Sequence, residues 1–171
     1  MGAWDELDTE IEVDLDLSEL DEIIDNNDPV FEPLTKIASD MKRAIENGSQ
    51  RGALELAKKN ISFQEQFIND NCDNPSGMLA SSIDYSGSMY SYTTGTRIND
   101  VYPMSVEYGR KGFGPVRAKA LAFYWDGELI FRKRVGPAKP RPFVAPAYTK
   151  TDRLSEDLIV REIGHAGIQW D

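Results

Sequence analysis

The dipeptide Asp126-Gly127 constrains this chain more than any other local feature. It joins two runs rich in aromatic and aliphatic residues, 120–125 and 128–135, and both of its residues can take the positive φ that a two-residue type I′ turn requires. That combination predicts a β-hairpin. Sheet is also expected upstream: from Gly77 the composition shifts to Ser, Thr, Tyr and Gly, with strand-like stretches at 79–85 and 89–98, where Tyr90 and Tyr92 alternate with small polar residues. Pro137, Pro140 and Pro142 interrupt the ladder after the hairpin.

Helical spacing dominates the segment before the sheet. Following Asp28-Pro29, the residues Leu34, Ile37, Ala38, Met41 and Ile45 recur at helical intervals, and Gly48 is placed as a C-terminal stop. Ser49 then caps a second helix with Leu54, Ala57, Ile61 and Ile68 on one face, widened by Phe63 and Phe67, that ends in the loop 69–76. A last helix is predicted over 145–163, with Leu154, Leu158 and Ile159 on its apolar side. The predicted fold is therefore α+β: two N-terminal helices and a C-terminal helix packed on a twisted, mainly antiparallel sheet. At 171 residues the chain suits one core, assigned to residues 31–163, between an N-terminal arm (1–30) and a short tail (164–171).

Charge is segregated along the sequence. Residues 1–30 carry twelve acids, and the first basic side chain is Lys36. Within this arm Ile11, Val13, Leu15 and Leu17 alternate with Glu12, Asp14 and Asp16, which suits a strand with one apolar and one acidic face, and Ser18 can begin a helical turn through Leu20, Ile23 and Ile24. The same charge density also suits a disordered acidic tail. Residues 110–141 have the opposite sign: Arg110, Lys111, Arg117, Lys119, Arg132, Lys133, Arg134, Lys139 and Arg141 stand against Asp126 and Glu128, a local charge of +7.

Enzymatic constellations are nearly absent. A single cysteine, Cys72, forms no internal disulfide, and a single histidine, His165, offers little to a transition-metal site. No cofactor is expected. Gly112-Phe113-Gly114 is a fragment of a glycine-rich phosphate loop without the third glycine, the preceding strand or the following helix. Glu107 has no second carboxylate in a recognisable acid–base context. No apolar run approaches the ~18 residues of a membrane span, and the N-terminus lacks the pattern of a signal peptide, so a soluble protein made in a cytoplasm is expected. The basic hairpin has two readings. Phe113, Phe123, Tyr124, Trp125 and Phe131 interleave with Lys and Arg, as in surfaces that grip nucleic acid by phosphate pairing and stacking. The reading favoured by the acidic balance of the whole chain sends those aromatics to the core and the cations to solvent or an acidic neighbour.

Three segments carry a resemblance. Ser76-Gly77-Met78-Leu79-Ala80-Ser81-Ser82-Ile83, Tyr102-Pro103-Met104-Ser105-Val106-Glu107-Tyr108-Gly109 and Pro140-Arg141-Pro142-Phe143-Val144-Ala145-Pro146-Ala147 follow one another as in the tail-completion or head–tail joining proteins of long-tailed bacteriophages. There, similar small-Gly-x-Leu-x-x-Ser-Ile, Tyr-Ala-x-x-Val-Glu-Phe-Gly and Ala-Arg-Pro-Phe-Leu-x-Pro-Ala elements precede a last helix. The resemblance covers about residues 34–163. Pro103 departs from it, and the acidic arm lies outside it.

What the resemblance implies is a non-enzymatic neck subunit in the virion, assembled in the host cytoplasm. It would form a ring, hexameric in the family, between a head-side stopper or connector and the tail terminator or tail tube, with DNA in the lumen and no membrane. Gly77, Leu79, Ile83, Tyr102, Glu107, Gly109, Arg141, Pro142 and Phe143 are its structural positions, and Arg141, held between two prolines, is expected to pair with a carboxylate such as Glu107. Charge alone suggests how subunits meet: Ile11, Val13, Leu15, Leu17, Asp14 and Asp16 of one arm against Arg110, Lys111, Arg117, Lys119, Arg132, Lys133 and Arg134 of a neighbour.

Overall fold

The computed structural model describes residues 7–26, 28–72, 77–98, 101–125 and 127–167; Ser76 and Asp126, singled out above, lie outside them. Its organising feature is one helix of 40 residues, α2 (Glu32–Asn71), about 60 Å long at 1.5 Å per residue. Pro33 sits in its first turn, where no hydrogen bond is lost. A 3-10 turn at Pro29–Phe31 leads into it, capped by Asp28, whose carboxylate accepts from the Val30 N–H at 3.0 Å.

Two separate N-terminal helices are thus corrected to one. Gly48 does not end a helix and Ser49 does not begin one; both are buried mid-helix. The reason is tertiary. The last helix, α4 (Val144–Ala166), runs antiparallel along α2, with Ile163 opposite Gly48, Ile159 opposite Gly52 and Thr151 opposite Asn60. Glycines let the two backbones approach, and the tight packing offsets the roughly 1 kcal/mol that each glycine costs inside a helix. The C-terminal helix therefore packs on α2, where the sequence suggested the sheet. Leu158 is buried in that contact, Ile159 is half-buried and Leu154 is exposed.

Strand residues form two small antiparallel sheets in place of one. In the first, β3 (Ser91–Thr96) lies between β1 (Thr9–Glu12) and β2 (Ile83–Ser88). Glu12 pairs with Ser91, the first residue of β3, so the ladder ends there except for one further bond from Val13 N–H to Tyr90 O. This is why the alternating run 11–17 is strand only at its start. Val13, Leu15 and Leu17 are half-buried, and Asp14 and Asp16 are exposed. Asp16 turns back on Ser18, accepting from its N–H and hydroxyl, and the hydroxyl bond chiefly holds the Asp16 carboxyl below its usual pKa. Helix α1 (Ser18–Ile24) follows and lies on the N-terminal part of α2, where Lys42 Nζ meets Asp21 Oδ1 at 2.5 Å. The second sheet, β4 (Leu121–Trp125) with β5 (Glu128–Arg132), pairs Trp125 with Glu128 and Leu121 with Arg132 across Gly127, whose φ is +78°.

Two apolar clusters sit along α2. Ile11, Leu56, Ala57 and Leu158 form one, uniting the arm with both long helices. Ile68, Leu79, Ala80, Ile83 and Phe143 form the other, near the C-terminal end of α2. Between them lies a buried polar network. Asn60 donates to Thr151 Oγ1 at 3.1 Å and accepts from Gln64 at 2.6 Å and from Thr94 at 2.8 Å, tying α2, α4 and β3 together.

Candidate functional site

Two uncovered apolar surfaces among the described residues lie on segments anchored at opposite ends of α2. At its C-terminal end, the residues of the three segments quoted above converge. Leu79 and Ile83 from the first, Val106 from the second and Phe143 from the third meet in the cluster around Ile68. Helix α3 (Val101–Glu107), which the sequence reading did not assign, delivers Glu107 to the start of α4. There Glu107 is buried, its Oε2 accepting from the N–H groups of Phe143 at 2.7 Å and Val144 at 3.1 Å, and its Oε1 from Ala145 at 3.5 Å. A carboxylate so placed satisfies orphan donors of the first helical turn and meets the positive end of the helix dipole. Glu107 pins the junction to α4 through backbone N–H groups. Arg141 joins the same junction by donating its backbone N–H to Val106 O at 2.8 Å, and its side chain is exposed.

Gly109 opens the next segment with φ +73°, and a Cβ there would meet Ala138 O at 2.7 Å. From this point two antiparallel strands leave the body. Arg110 bridges Ala138, Phe113 bridges Val135, and β4 and β5 continue outward. This finger packs chiefly on itself. Directly opposed residues share a face, so Leu121, Phe123, Ile130 and Arg132 lie on one side and Ala122, Tyr124, Leu129 and Phe131 on the other. Neither side alternates apolar with polar. Tyr124 is 75% exposed and Phe131 60%.

The expectation that the aromatics turn into the core is thereby corrected for Phe113, Tyr124 and Phe131, which are exposed; Phe123 is half-buried, and the Trp125 side chain lies outside what the structure describes. Among the described residues β4 and β5 pack mainly on each other, and the face with Tyr124, Leu129 and Phe131 is exposed while that with Leu121, Phe123 and Ile130 is half-buried. One face curls over Phe113 into an open groove of about 610 Å³, lined by Phe113, Leu121, Phe123, Ile130 and Val135 and flanked by Arg110 and Arg132. The Arg110 guanidinium lies 4.9 Å above the Phe113 ring. Lys111, Arg117, Lys119, Lys133 and Arg134 are exposed along the same finger.

At the other end, α2 extends past the last turn of α4. Leu34, Ile37 and Met41 were expected on a buried face, yet all three are exposed: α4 ends at Ala166, little beyond the Ile163–Gly48 contact, and α1 covers only one side of this stretch, the side where Ala38 is buried. Val30, at the tip of the entry turn, is 80% exposed, and Phe31 is 42% exposed. Acids outnumber bases on this overhang: it carries Asp21, Glu22, Asp25, Asp28 and Glu32 against Lys36 and Lys42, and Lys42 pairs with Asp21.

No family model, no curated protein and no solved structure matches this chain.

Of the arm residues expected at a subunit interface, Ile11 is buried in the chain's own body on β1, which pairs with β3, while Val13, Leu15 and Leu17 are half-buried and Asp14 and Asp16 are exposed. Glu10, Glu12, Asp14 and Asp16 keep an exposed acidic edge on the arm, and the α1–α2 overhang is a second acidic surface. Sequence periodicity located the apolar residues there but not their exposure, because coverage depends on where α4 ends. Cys72 is half-buried and His165 exposed, 3.8 Å from Glu162. Among the described residues no helix is long and apolar enough to cross a membrane.

Proposed function

We propose that this chain is a structural, non-enzymatic subunit of the neck of a long-tailed bacteriophage, completing the tail and joining it to the head connector as part of a ring around the DNA channel. The observation that supports this reading most is the finger. A two-stranded hairpin with apolar side chains on both faces is marginal in water by itself, and exposed patches of this kind are characteristic of surfaces buried in assemblies. Its root is built from the three segments that resemble the tail-completion proteins, so the resembling residues form one structural unit. Neighbours of the proposed ring are a head-side stopper or connector and the tail terminator or tube.

The test is genetic and compositional. A phage carrying this gene, with residues 114–134 replaced by a short turn, is expected to yield separate heads and tails, while wild-type virions contain the chain in a fixed copy number by quantitative mass spectrometry. Virions lacking the polypeptide would end this reading.

A second reading has its own observation: Tyr124 and Phe131 are exposed on a finger that also carries exposed Arg132 and Lys133, a combination suited to stacking and phosphate contact. If the finger binds nucleic acid, filter binding must lose affinity steeply as salt rises, with a slope set by the phosphates neutralised.

A further inference from the structure

We infer that the finger groove receives the Val30–Phe31 turn of a second copy of this chain, so that subunits associate head to tail. The inference rests on the assembly reading above and names the partner that reading leaves open. The groove is apolar inside, with Phe113, Leu121, Phe123 and Ile130 as walls, and cationic at its rim, with Arg110 and Arg132. The turn at Pro29–Phe31 has the inverse pattern. Val30 and Phe31 form an apolar knob, exposed by 80% and 42%, and Asp28 and Glu32 flank it with carboxylates.

The knob is also ordered before it docks. Asp28 caps the turn through the Val30 N–H, and Phe31 N–H donates to Asp28 O at 2.9 Å. Less ordering entropy then opposes binding. Leu34 continues the apolar surface onto α2, where it is 46% exposed.

A chain does not satisfy its own groove. Every residue lining it comes from the finger, and the root of the finger and the knob stand at opposite ends of the 40-residue α2. Two different surfaces that fit one another across copies make a heterologous contact, which closes into a ring or continues as a filament. The opposite charges of the two surfaces also suppress the wrong pairings, finger with finger and overhang with overhang.

The test is a charge exchange on the full-length chain, read by native mass spectrometry and light scattering at moderate salt. One variant carries Arg110→Glu and Arg132→Glu; the other carries Asp28→Arg and Glu32→Arg. All four positions are at least partly exposed, so circular dichroism should show both variants folded. The wild type is expected to form oligomers, and each variant alone to associate at least about tenfold more weakly. An equimolar mixture should recover association, because each reversed surface then finds its complement on the other variant. Val30→Asp, which removes the knob without touching the rim, should weaken association as well. The inference is overturned if the wild type keeps the mass of one chain at every concentration, if the reversals leave association intact, or if the mixture of folded variants fails to recover it. Should virions require the finger while the purified chain stays monomeric, this contact is wrong and the neck reading stands, with another protein in the groove. Virions without the chain, beside a purified chain that passes the exchange, would have the opposite meaning.

Discussion

Gly48 lies so close to Ile163 that a Cβ on the glycine would sit 2.4 Å from the Ile163 Cα. The obstacle is backbone, so no rotamer change relieves it. Gly48→Ala is expected to separate α2 from α4 locally and destabilise the protein by roughly 1–3 kcal/mol, despite the gain of up to about 1 kcal/mol in helix propensity. Gly52 is a milder case, with the nearest atom, Ile159 Cγ1, at 3.1 Å. Gly52→Ala should be near neutral. Urea unfolding of both variants checks the difference, and equal effects would mean that the close approach is not centred on Gly48.

The buried Glu107 gives a second prediction. Its two oxygens serve three backbone donors at the start of α4, and removing them leaves N–H groups buried without partners. Glu107→Ala should destabilise by about 2 kcal/mol and lower the hydrogen-exchange protection of Phe143 and Val144. Glu107→Gln keeps an acceptor in place but loses the charge that favours a helix N-terminus, so its effect should be smaller. If protection at Phe143 is unchanged in the alanine variant, Glu107 is not the cap.

What was legible in the sequence follows from range. The antiparallel pairing of β4 with β5 was legible because it is encoded by neighbours in the chain, with Trp125 opposite Glu128; Asp126 itself lies outside the described residues. Ser18 likewise stands at the start of α1. Gly48 was misread because its local meaning, a helix stop, is overridden by a partner 115 positions away in sequence. Exposure of Leu34, Ile37 and Met41 was equally invisible: periodicity marks an apolar face, but whether anything covers it depends on the length of another helix. At the candidate site, the basic character of the finger was plain, while the uncovered state of Tyr124 and Phe131 required knowing that β4 and β5 pack mainly on each other. No local pattern singles out the polar network, because the burial of Asn60 and Gln64 depends on α4 and β3, distant in sequence.

That network carries a third prediction. Asn60 is the hub, bonded to Thr151, Gln64 and Thr94. Asn60→Ala orphans several buried polar groups at once and should destabilise by roughly 3 kcal/mol. Thr94→Val removes one spoke, with Thr94 also reaching Thr9 O at 3.4 Å, and should have a smaller effect. Because the two residues share a bond, a double-mutant cycle between them should show a coupling of at least about 0.5 kcal/mol. Strict additivity in denaturation measurements would mean the network is not formed.

The finger offers the sharpest separation of stability from function. Tyr124 and Phe131 contribute little to the fold if water already reaches most of their surface, so Tyr124→Ser with Phe131→Ser should leave unfolding free energy within about 0.5 kcal/mol of wild type. The same pair should diminish incorporation into necks, because an assembly interface loses its apolar area when these rings go. A destabilisation near the 3 kcal/mol or more typical of truncating a buried aromatic would mean that the isolated chain folds its own finger away. In that case the exposed faces are not available to a partner, and both the neck reading and the groove contact lose their physical basis. Thermal and urea unfolding of the purified double variant, beside complementation of a phage lacking the gene, decides between the two outcomes.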